Sequence, residues 1–220
     1  MTDTRALTIL QILKQTLALP KWVKGKNDPF KTLVVTIISQ NTADRNTVKA
    51  FENLSKIFKI TPEALAKAQI TQIENSIKSA GLYKSKAISI KQAAISVLEK
   101  YNGTLQPILS LSLEDARKAL MEFSGVGPKT TDVVLLFSSS HDTIPVDTHV
   151  NRVAKRLGLA PVNGNYETVR ANLQEIFDRG DYLAVHVLLI EHGRKNCKAR
   201  TPLCNTCQVN LYCPTKGQWS

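Results

Sequence analysis

The chain has 220 residues, 43% of them hydrophobic, and its 29 Lys and Arg against 18 Asp and Glu give a formal net charge of +11. A chain of this length can bury a core without disulfide bonds, and no apolar run reaches the roughly eighteen residues that a membrane helix needs. We therefore expect a soluble protein of one or two small domains with a polyanionic partner, although charge alone identifies neither fold nor function.

The N-terminal part of the chain shows helix signals and no strand signals. Residues 5–19 are predicted to form an amphipathic helix with leucines on one face. Thr61 followed by Pro62 is typical of a helix N-cap with proline at the first helical position. Thr71 with Glu74 has the spacing of a capping box, which predicts a further helix start at Thr71.

Helical spacing continues through the rest of the chain. Apolar residues recur at helical intervals over 87–98 before Gly103, and again over 169–177. Ser112 with Asp115 has the pattern of another capping box. The sequence therefore predicts an all-α fold of short helices joined by tight turns.

A glycine-rich turn separates two of these helices, at Phe123-Ser124-Gly125-Val126-Gly127-Pro128. A G-x-G turn permits positive φ and lets a phosphate approach the backbone, while Pro128 suits the first position of the next helix. Free N–H groups at that helix start favour an anion, so a helix-hairpin-helix can bind a DNA backbone without reading its sequence. A helix C-cap glycine followed by an ordinary turn gives the same short pattern.

Lys129 follows the turn directly, in the first turn of the next predicted helix. The positive end of the helix dipole, together with partial burial, is expected to lower the pKa of its amine and make it a usable nucleophile. A simple contact between Lys129 and phosphate is the alternative.

Asp147 lies at the predicted N-cap of a helix that ends at Gly158, within Ile144-Pro145-Val146-Asp147-Thr148-His149. Asp is common at N-caps and needs no catalytic role there. A carboxylate kept ionised by helix N–H donors could also stabilise a substrate that develops positive charge.

All four cysteines, Cys197, Cys204, Cys207 and Cys213, lie near the C-terminus in the pattern C-x6-C-x2-C-x5-C. Disulfides suit small secreted domains, and we expect this chain to reside in a reducing compartment. The set predicts a metal centre, and its spacing alone leaves zinc and an iron-sulfur cluster open.

Taken together, these motifs resemble the endonuclease III branch of the helix-hairpin-helix DNA glycosylases. G-V-G-P-K-T, P-V-D-T-H and the cysteine pattern occur in that family's order and spacing. Residues 33–44, 81–87 and 191–194 are also similar to the family. The resemblance covers nearly the whole chain and favours a [4Fe-4S] cluster over zinc at the four cysteines.

The resemblance implies an all-helical helix-hairpin-helix DNA glycosylase fold with its active site in a cleft between two domains. Residues 25–141 would form a six-helix barrel that contains the helix-hairpin-helix, at about 112–137. Residues 1–24 and 142–220 would form a discontinuous iron-sulfur domain, with the cluster loop at 197–213.

The resemblance also implies an enzyme of base excision repair that flips a damaged pyrimidine out of the duplex. Lys129 would attack the sugar C1′, form a Schiff base and permit β-elimination, while Asp147 would stabilise the cationic sugar or help to deprotonate the lysine. The DNA-binding residues implied are Gln40, Asn41, Gly125, Val126, Gly127, Thr130, His149, Lys198 and Arg200. Either Gln40 or Asn41 would fill the gap left by the flipped base.

The sequence departs from the family pattern around the hairpin. Phe123-Ser124 replaces the usual Leu-Pro, Pro128 replaces an Arg, and Thr131-Asp132 replaces Ala-Asn. We expect Asp132 to add a carboxylate near the pocket, and we expect these changes to affect base recognition more than chemistry.

Other functions are weighed against this one. A glycosylase of the same fold that prefers uracil or mismatched thymine is one alternative, but a monofunctional enzyme usually has Ser or Tyr in place of Lys129. A noncatalytic DNA-binding iron-sulfur protein leaves Lys129 and Asp147 without a role, and a redox sensor explains only the cysteines. The expected partner is double-stranded DNA with damaged bases or abasic sites, bound by a monomer. A prokaryotic source would place it in the cytoplasm with the nucleoid.

Overall fold

The structure is a computed structural model that describes residues 3–19 and 27–218. These residues form twelve α-helices and no β-strand, which confirms the all-α prediction. The helices are α1 (Thr4–Thr16), α2 (Pro29–Ser39), α3 (Asp44–Ile57), α4 (Pro62–Lys67), α5 (Ile70–Ser76), α6 (Tyr83–Tyr101), α7 (Gln106–Leu109), α8 (Leu113–Met121), α9 (Pro128–Ser138), α10 (Thr148–Arg156), α11 (Tyr166–Ile176) and α12 (Tyr182–Lys195). Among the described helices, none combines the length and the hydropathy that crossing a bilayer requires.

The chain divides into two compact units. One unit is Gly25–His141, which contains α2 to α9. The other unit joins Met1–Lys24 to Asp142–Ser220, and it contains α1 and α10 to α12. The second unit is therefore discontinuous in sequence.

The core of Gly25–His141 is built mainly from aliphatic side chains. Helix α2 packs along α9, and α4 packs along α6. Leu33, Ile37, Ile90, Leu120 and Leu135 are fully buried in this core. The apolar stripes of these helices thus face one another, as their helical spacing predicts.

The other unit is organised around α12, which packs against α1 and α10. Its core includes Ile9 and Leu13 of α1, Val153 of α10 and Leu188 of α12, each at most 1% exposed. Helix α1 ends at Thr16, three residues before the predicted end, because Leu17 adopts an extended backbone.

Side-chain caps start several helices where the sequence places them. The Thr61 hydroxyl accepts from the Ala64 amide, and the Ser112 hydroxyl accepts from the Asp115 amide. The capping box predicted at Thr71 is wrong. Helix α5 begins one residue earlier, at Ile70, and its N-cap is Gln69, which makes no side-chain cap hydrogen bond.

Candidate active site and metal centre

The glycine-rich turn connects α8 to α9 and uses its two glycines differently. Gly125 has φ +74°, and a Cβ there would overlap the Ser89 hydroxyl. Gly127 is the N-cap of α9 in an extended conformation, and no described atom lies within 4 Å of the position of its Cβ. Gly125 therefore makes the turn, and Gly127 leaves open space in front of the first N–H groups of α9.

Lys129 is the second residue of α9 and is half-buried. No acidic residue lies in the first turn of that helix. Asp132, which the sequence predicts to add a carboxylate near the pocket, lies one turn after Lys129 on α9 and is fully buried. Its Oδ1 accepts from Arg117 Nε at 3.0 Å and its Oδ2 from Arg117 Nη2 at 3.3 Å. This ion pair links α8 to α9.

Gln40 and Asn41 follow α2 and differ in what their side chains do. Gln40 Nε2 donates to the Gly125 carbonyl at 2.8 Å and to Thr130 Oγ1 at 3.2 Å. Asn41 is exposed and has φ +51°. The structure thus brings Gln40 together with the hairpin, while Asn41 projects from the loop.

Two other predicted DNA-binding residues of the hairpin have buried side chains. Val126 is 7% exposed and Thr130 is 3% exposed. These two residues therefore expose little surface for a contact with DNA.

Asp147 is the N-cap of α10, as predicted. Its Oδ1 accepts a hydrogen bond of 2.7 Å from the Val150 amide. Residues of the same unit, among them Asn151, Lys155 and Tyr166, line an open pocket beside it. The half-buried carboxylate is thus oriented by its helix and lines an open depression.

His149 lies in the first turn of α10, where this helix approaches α12. A Cβ at Gly193 would lie 3.1 Å from the His149 ring, and Arg152 Nη2 lies 3.1 Å from His149 Nδ1. His149 is therefore part of a close helix contact as well as a predicted DNA-binding residue.

The four cysteines line one cavity with Arg156 and His192. All four thiols are free of disulfides. Within residues 3–19 and 27–218, no three His, Cys, Asp or Glu side chains converge as ligands of a single ion. The four thiols thus surround the cavity and do not converge on a single ion position.

Two arginines of α10 hold the start of the cysteine loop. Arg152 Nε donates to the Cys197 carbonyl at 3.0 Å. Arg156 donates to the carbonyls of Lys198 at 2.7 Å and Ala199 at 2.9 Å, and its Nη1 lies 3.6 Å from Cys197 Sγ. These contacts place guanidinium charge beside the thiols.

His192 and Cys207 are neighbours in the lining of the cavity. His192 Nε2 is 3.8 Å from Cys207 Sγ, and burial lowers the pKa of His192 to about 4. His192 Nδ1 has no hydrogen-bond partner among the described residues. Burial also raises the pKa of the Cys207 thiol, an effect that a bound cation would oppose by stabilising the thiolate.

Comparison with known proteins decides the family. Residues 34–179 match the model of the HhH-GPD superfamily of base excision DNA repair proteins. Endonuclease III of Sulfolobus acidocaldarius is 36% identical over 87% of this chain and 85% of its own length. Endonuclease III of Escherichia coli K12 is 32% identical over 98% of both chains. The chain belongs to the endonuclease III family.

A solved structure of this family is also similar. It is a trapped covalent intermediate of endonuclease III with DNA, 27% identical, with a TM-score of 0.84 over 99% of this chain and 98% of that one. The predicted helix-hairpin-helix glycosylase fold is thereby confirmed. As a member of the endonuclease III family, the protein is a base excision repair DNA glycosylase and AP lyase, and DNA is its partner.

Leu82 is a further candidate functional residue, and the sequence motifs did not identify it. It is 66% exposed and has φ +45°, an unusual conformation for a leucine. The sequence does not show that the Leu82 side chain is exposed. Its position directly after Gly81, in the segment 81–87 that is similar to the family, is the sequence feature that could have identified it.

Proposed function

We propose that this enzyme removes oxidised or otherwise damaged pyrimidines from duplex DNA, with Lys129 as the nucleophile and Asp147 as the assisting carboxylate. A flipped-out base is required, because the sugar C1′ cannot be attacked while its base is stacked. The protein would act as a monomer and, in a prokaryote, in the cytoplasm with the nucleoid.

The observation that carries the proposal is the placement of Lys129. It stands in the first turn of α9, directly after the open space at Gly127. The helix N-terminus attracts the DNA phosphate and disfavours an ammonium. A phosphate at Gly127 would therefore bring the sugar to an amine that gains reactivity from its position.

The chemistry follows from a neutral amine at Lys129. Its nitrogen bonds to C1′ as the glycosidic bond breaks, and the base leaves with that electron pair. The bonded nitrogen then gives up one proton, and O4′ takes up a proton as the C1′–O4′ bond breaks, which opens the sugar ring and leaves a protonated Schiff base between C1′ and the lysine. Removal of a C2′ proton then expels the 3′ phosphate, which nicks the strand, and water releases the lysine.

Asp147 would act on the charge that develops during base loss. Its hydrogen bond from the Val150 amide fixes the position of one carboxylate oxygen. An ionised carboxylate favours a cationic sugar and can also accept a proton from the attacking lysine.

Asn41 is the residue proposed to fill the position of the flipped base. The Gln40 amide is already hydrogen-bonded to Gly125 and Thr130. The exposed Asn41, in contrast, stands on a left-handed backbone at the end of its loop. This difference favours Asn41 between the two candidates of the sequence.

The donor set at the cysteine cavity fits a [4Fe-4S] cluster held by Cys197, Cys204, Cys207 and Cys213. Zinc draws thiolates to about 2.3 Å from one point, whereas a cluster needs them spread around a larger core. The four thiols line the walls of one cavity, and Arg156 places positive charge beside Cys197. A bound cluster supplies folding free energy to this segment.

Lys198 and Arg200 would bind phosphate from the same loop. Both side chains are exposed, and neither forms an ion pair with the described residues. The carbonyl at Lys198 is held by Arg156, so the loop is fixed while its cations remain available.

Borohydride trapping tests the proposal. Duplexes that carry an oxidised pyrimidine, uracil, mismatched thymine or a preformed abasic site are incubated with the protein and reduced. We expect a covalent adduct with the oxidised pyrimidine and the abasic site. Adducts on uracil or mismatched thymine alone would favour the alternative base preference, and excision without any adduct would exclude Lys129 chemistry.

A further inference from the structure

Lys86 is a buried cation whose hydrogen-bond partners among the described residues are all neutral. It lies in the first turn of α6 and is 3% exposed. Its Nζ donates to the Ile38 carbonyl at 2.9 Å, to Thr42 Oγ1 at 2.6 Å and to the Ala80 carbonyl at 2.8 Å. These bonds use all three ammonium donors. Burial lowers the pKa of Lys86, which indicates a desolvation cost that no carboxylate within residues 3–19 and 27–218 offsets.

The three acceptors belong to two separate loops. Ile38 and Thr42 bracket the loop that carries Gln40 and Asn41. Ala80 directly precedes Gly81 in the second loop, and the Thr42 hydroxyl also contacts the Ala80 carbonyl. The buried ammonium group of Lys86 therefore connects the loop at 38–42 to the loop at 80–82.

Each loop presents one exposed residue on a left-handed backbone. Asn41 has φ +51° and Leu82 has φ +45°, and Leu82 is 66% exposed. The only other described non-glycine residue with positive φ is Asn102, an ordinary cap at the end of α6. A strained and exposed leucine persists where surrounding contacts impose it, and such positions cluster at functional sites.

We propose that Lys86 is a positioning residue that locks the two loops together, so that Asn41 and Leu82 enter the opened duplex as one preformed unit. The inference rests on the proposed function and extends it to a residue that touches no DNA. The amide fills the vacated base position, and the leucine side chain acts as an apolar wedge between bases. Loops that are fixed before contact lose less conformational entropy when DNA binds.

Lys86→Met and Thr42→Val test the proposal. Methionine keeps the length and removes the donors, and valine keeps the shape of threonine and removes the hydroxyl that links the loops. Lys91→Met is the matched control, because Lys91 Nζ caps α4 with bonds of 2.8 Å to the Ala66 carbonyl and 2.5 Å to the Ala68 carbonyl. Thermal unfolding is measured for all three variants.

Duplex opening is measured without chemistry, from 2-aminopurine fluorescence opposite a tetrahydrofuran abasic analogue. We expect Lys86→Met and Thr42→Val to lose the fluorescence increase seen with the unchanged protein. Excision from a lesion-containing duplex should fall roughly 100-fold, as for a misplaced positioning element. Borohydride trapping on single-stranded abasic DNA, which needs no opening, should stay at the unchanged level, and Lys91→Met should match the unchanged protein in every DNA assay.

Normal fluorescence with Lys86→Met would overturn the proposal, as would an equal loss with Lys91→Met, which would indicate a general effect of destabilisation. If Lys86→Met does not fold, Thr42→Val decides the outcome. A protein that opens duplex but traps no abasic DNA would contradict the proposed chemistry and leave the positioning role intact.

Discussion

The Gln40 side-chain amide donates a hydrogen bond of 2.8 Å to the Gly125 carbonyl. Gly125 is the residue that makes the hairpin turn, with φ +74°. The bond therefore ties the end of α2 to the element proposed to bind phosphate. Because this amide is engaged inside the protein, Gln40 and Asn41 are expected to respond differently to substitution.

Asn41→Ala should weaken binding to a duplex that contains an abasic analogue, because the vacated base position loses its polar occupant. We expect binding to undamaged duplex to change little, since phosphate contacts dominate it. Fluorescence anisotropy on both duplexes measures the difference, and an equal loss on both would contradict the role of Asn41.

Gln40→Ala should instead affect the hairpin. Loss of its bonds to Gly125 and Thr130 should lower the free energy of unfolding by about 0.5–1.5 kcal/mol per bond. Urea unfolding measures this change. A stability equal to that of the unchanged protein would show that these bonds contribute nothing to the hairpin.

Lys129→Gln should abolish the borohydride-trapped adduct and strand nicking. Binding to lesion-containing duplex should stay largely intact, because the hairpin backbone still faces phosphate. Lys118→Ala, on the exposed side of α8, is the matched control and should keep normal trapping. A residual adduct in the Gln variant would identify another amine as the nucleophile.

Asp147→Asn should slow base excision roughly 100- to 1000-fold, as expected when a preorganised charge is removed. The cap on the Val150 amide can survive, because asparagine keeps an acceptor oxygen. Asp28→Asn makes the same change at the N-cap of α2, where Asp28 accepts from Lys31 at 2.8 Å, and should leave excision unchanged. A lower unfolding temperature of Asp147→Asn with normal excision would make Asp147 only a structural cap.

The sequence predicts the helices well, because their signals are local. Thr61, Ser112 and Asp147 each have a short polar side chain just before an apolar-periodic segment, and each caps a helix. Thr71 has the same pattern but lies inside α5. Spacing alone does not decide between neighbouring helix starts, since tertiary packing can move a boundary by one residue.

Long-range contacts explain what the sequence does not predict. The sequence does not show that Asp132 is buried and paired with Arg117, fifteen residues away in sequence. Lys86 looks like one more basic residue, although its acceptors come from 38, 42 and 80. A motif identifies which chemical groups are present. The burial of a side chain and its hydrogen-bond partners depend on contacts between segments that are distant in sequence.

The metal prediction is tested on the purified protein. We expect a brown colour, broad visible absorption and about four irons per chain. Any one of the four cysteines changed to Ala should destabilise the segment, because ligation supplies folding free energy. Stoichiometric zinc without iron would contradict the assignment.

Lys198→Ala and Arg200→Ala should weaken binding to damaged and undamaged duplex alike. Both residues are exposed on the cysteine loop and form no ion pair with described residues, so each can neutralise a phosphate. Each substitution should reduce the slope of log K against log salt by about one unit. Lys67→Ala removes an exposed lysine from the end of α4 and should leave the slope unchanged. A loss confined to damaged DNA, with the salt slope unaltered, would mean that the loop reads the lesion and does not bind the backbone.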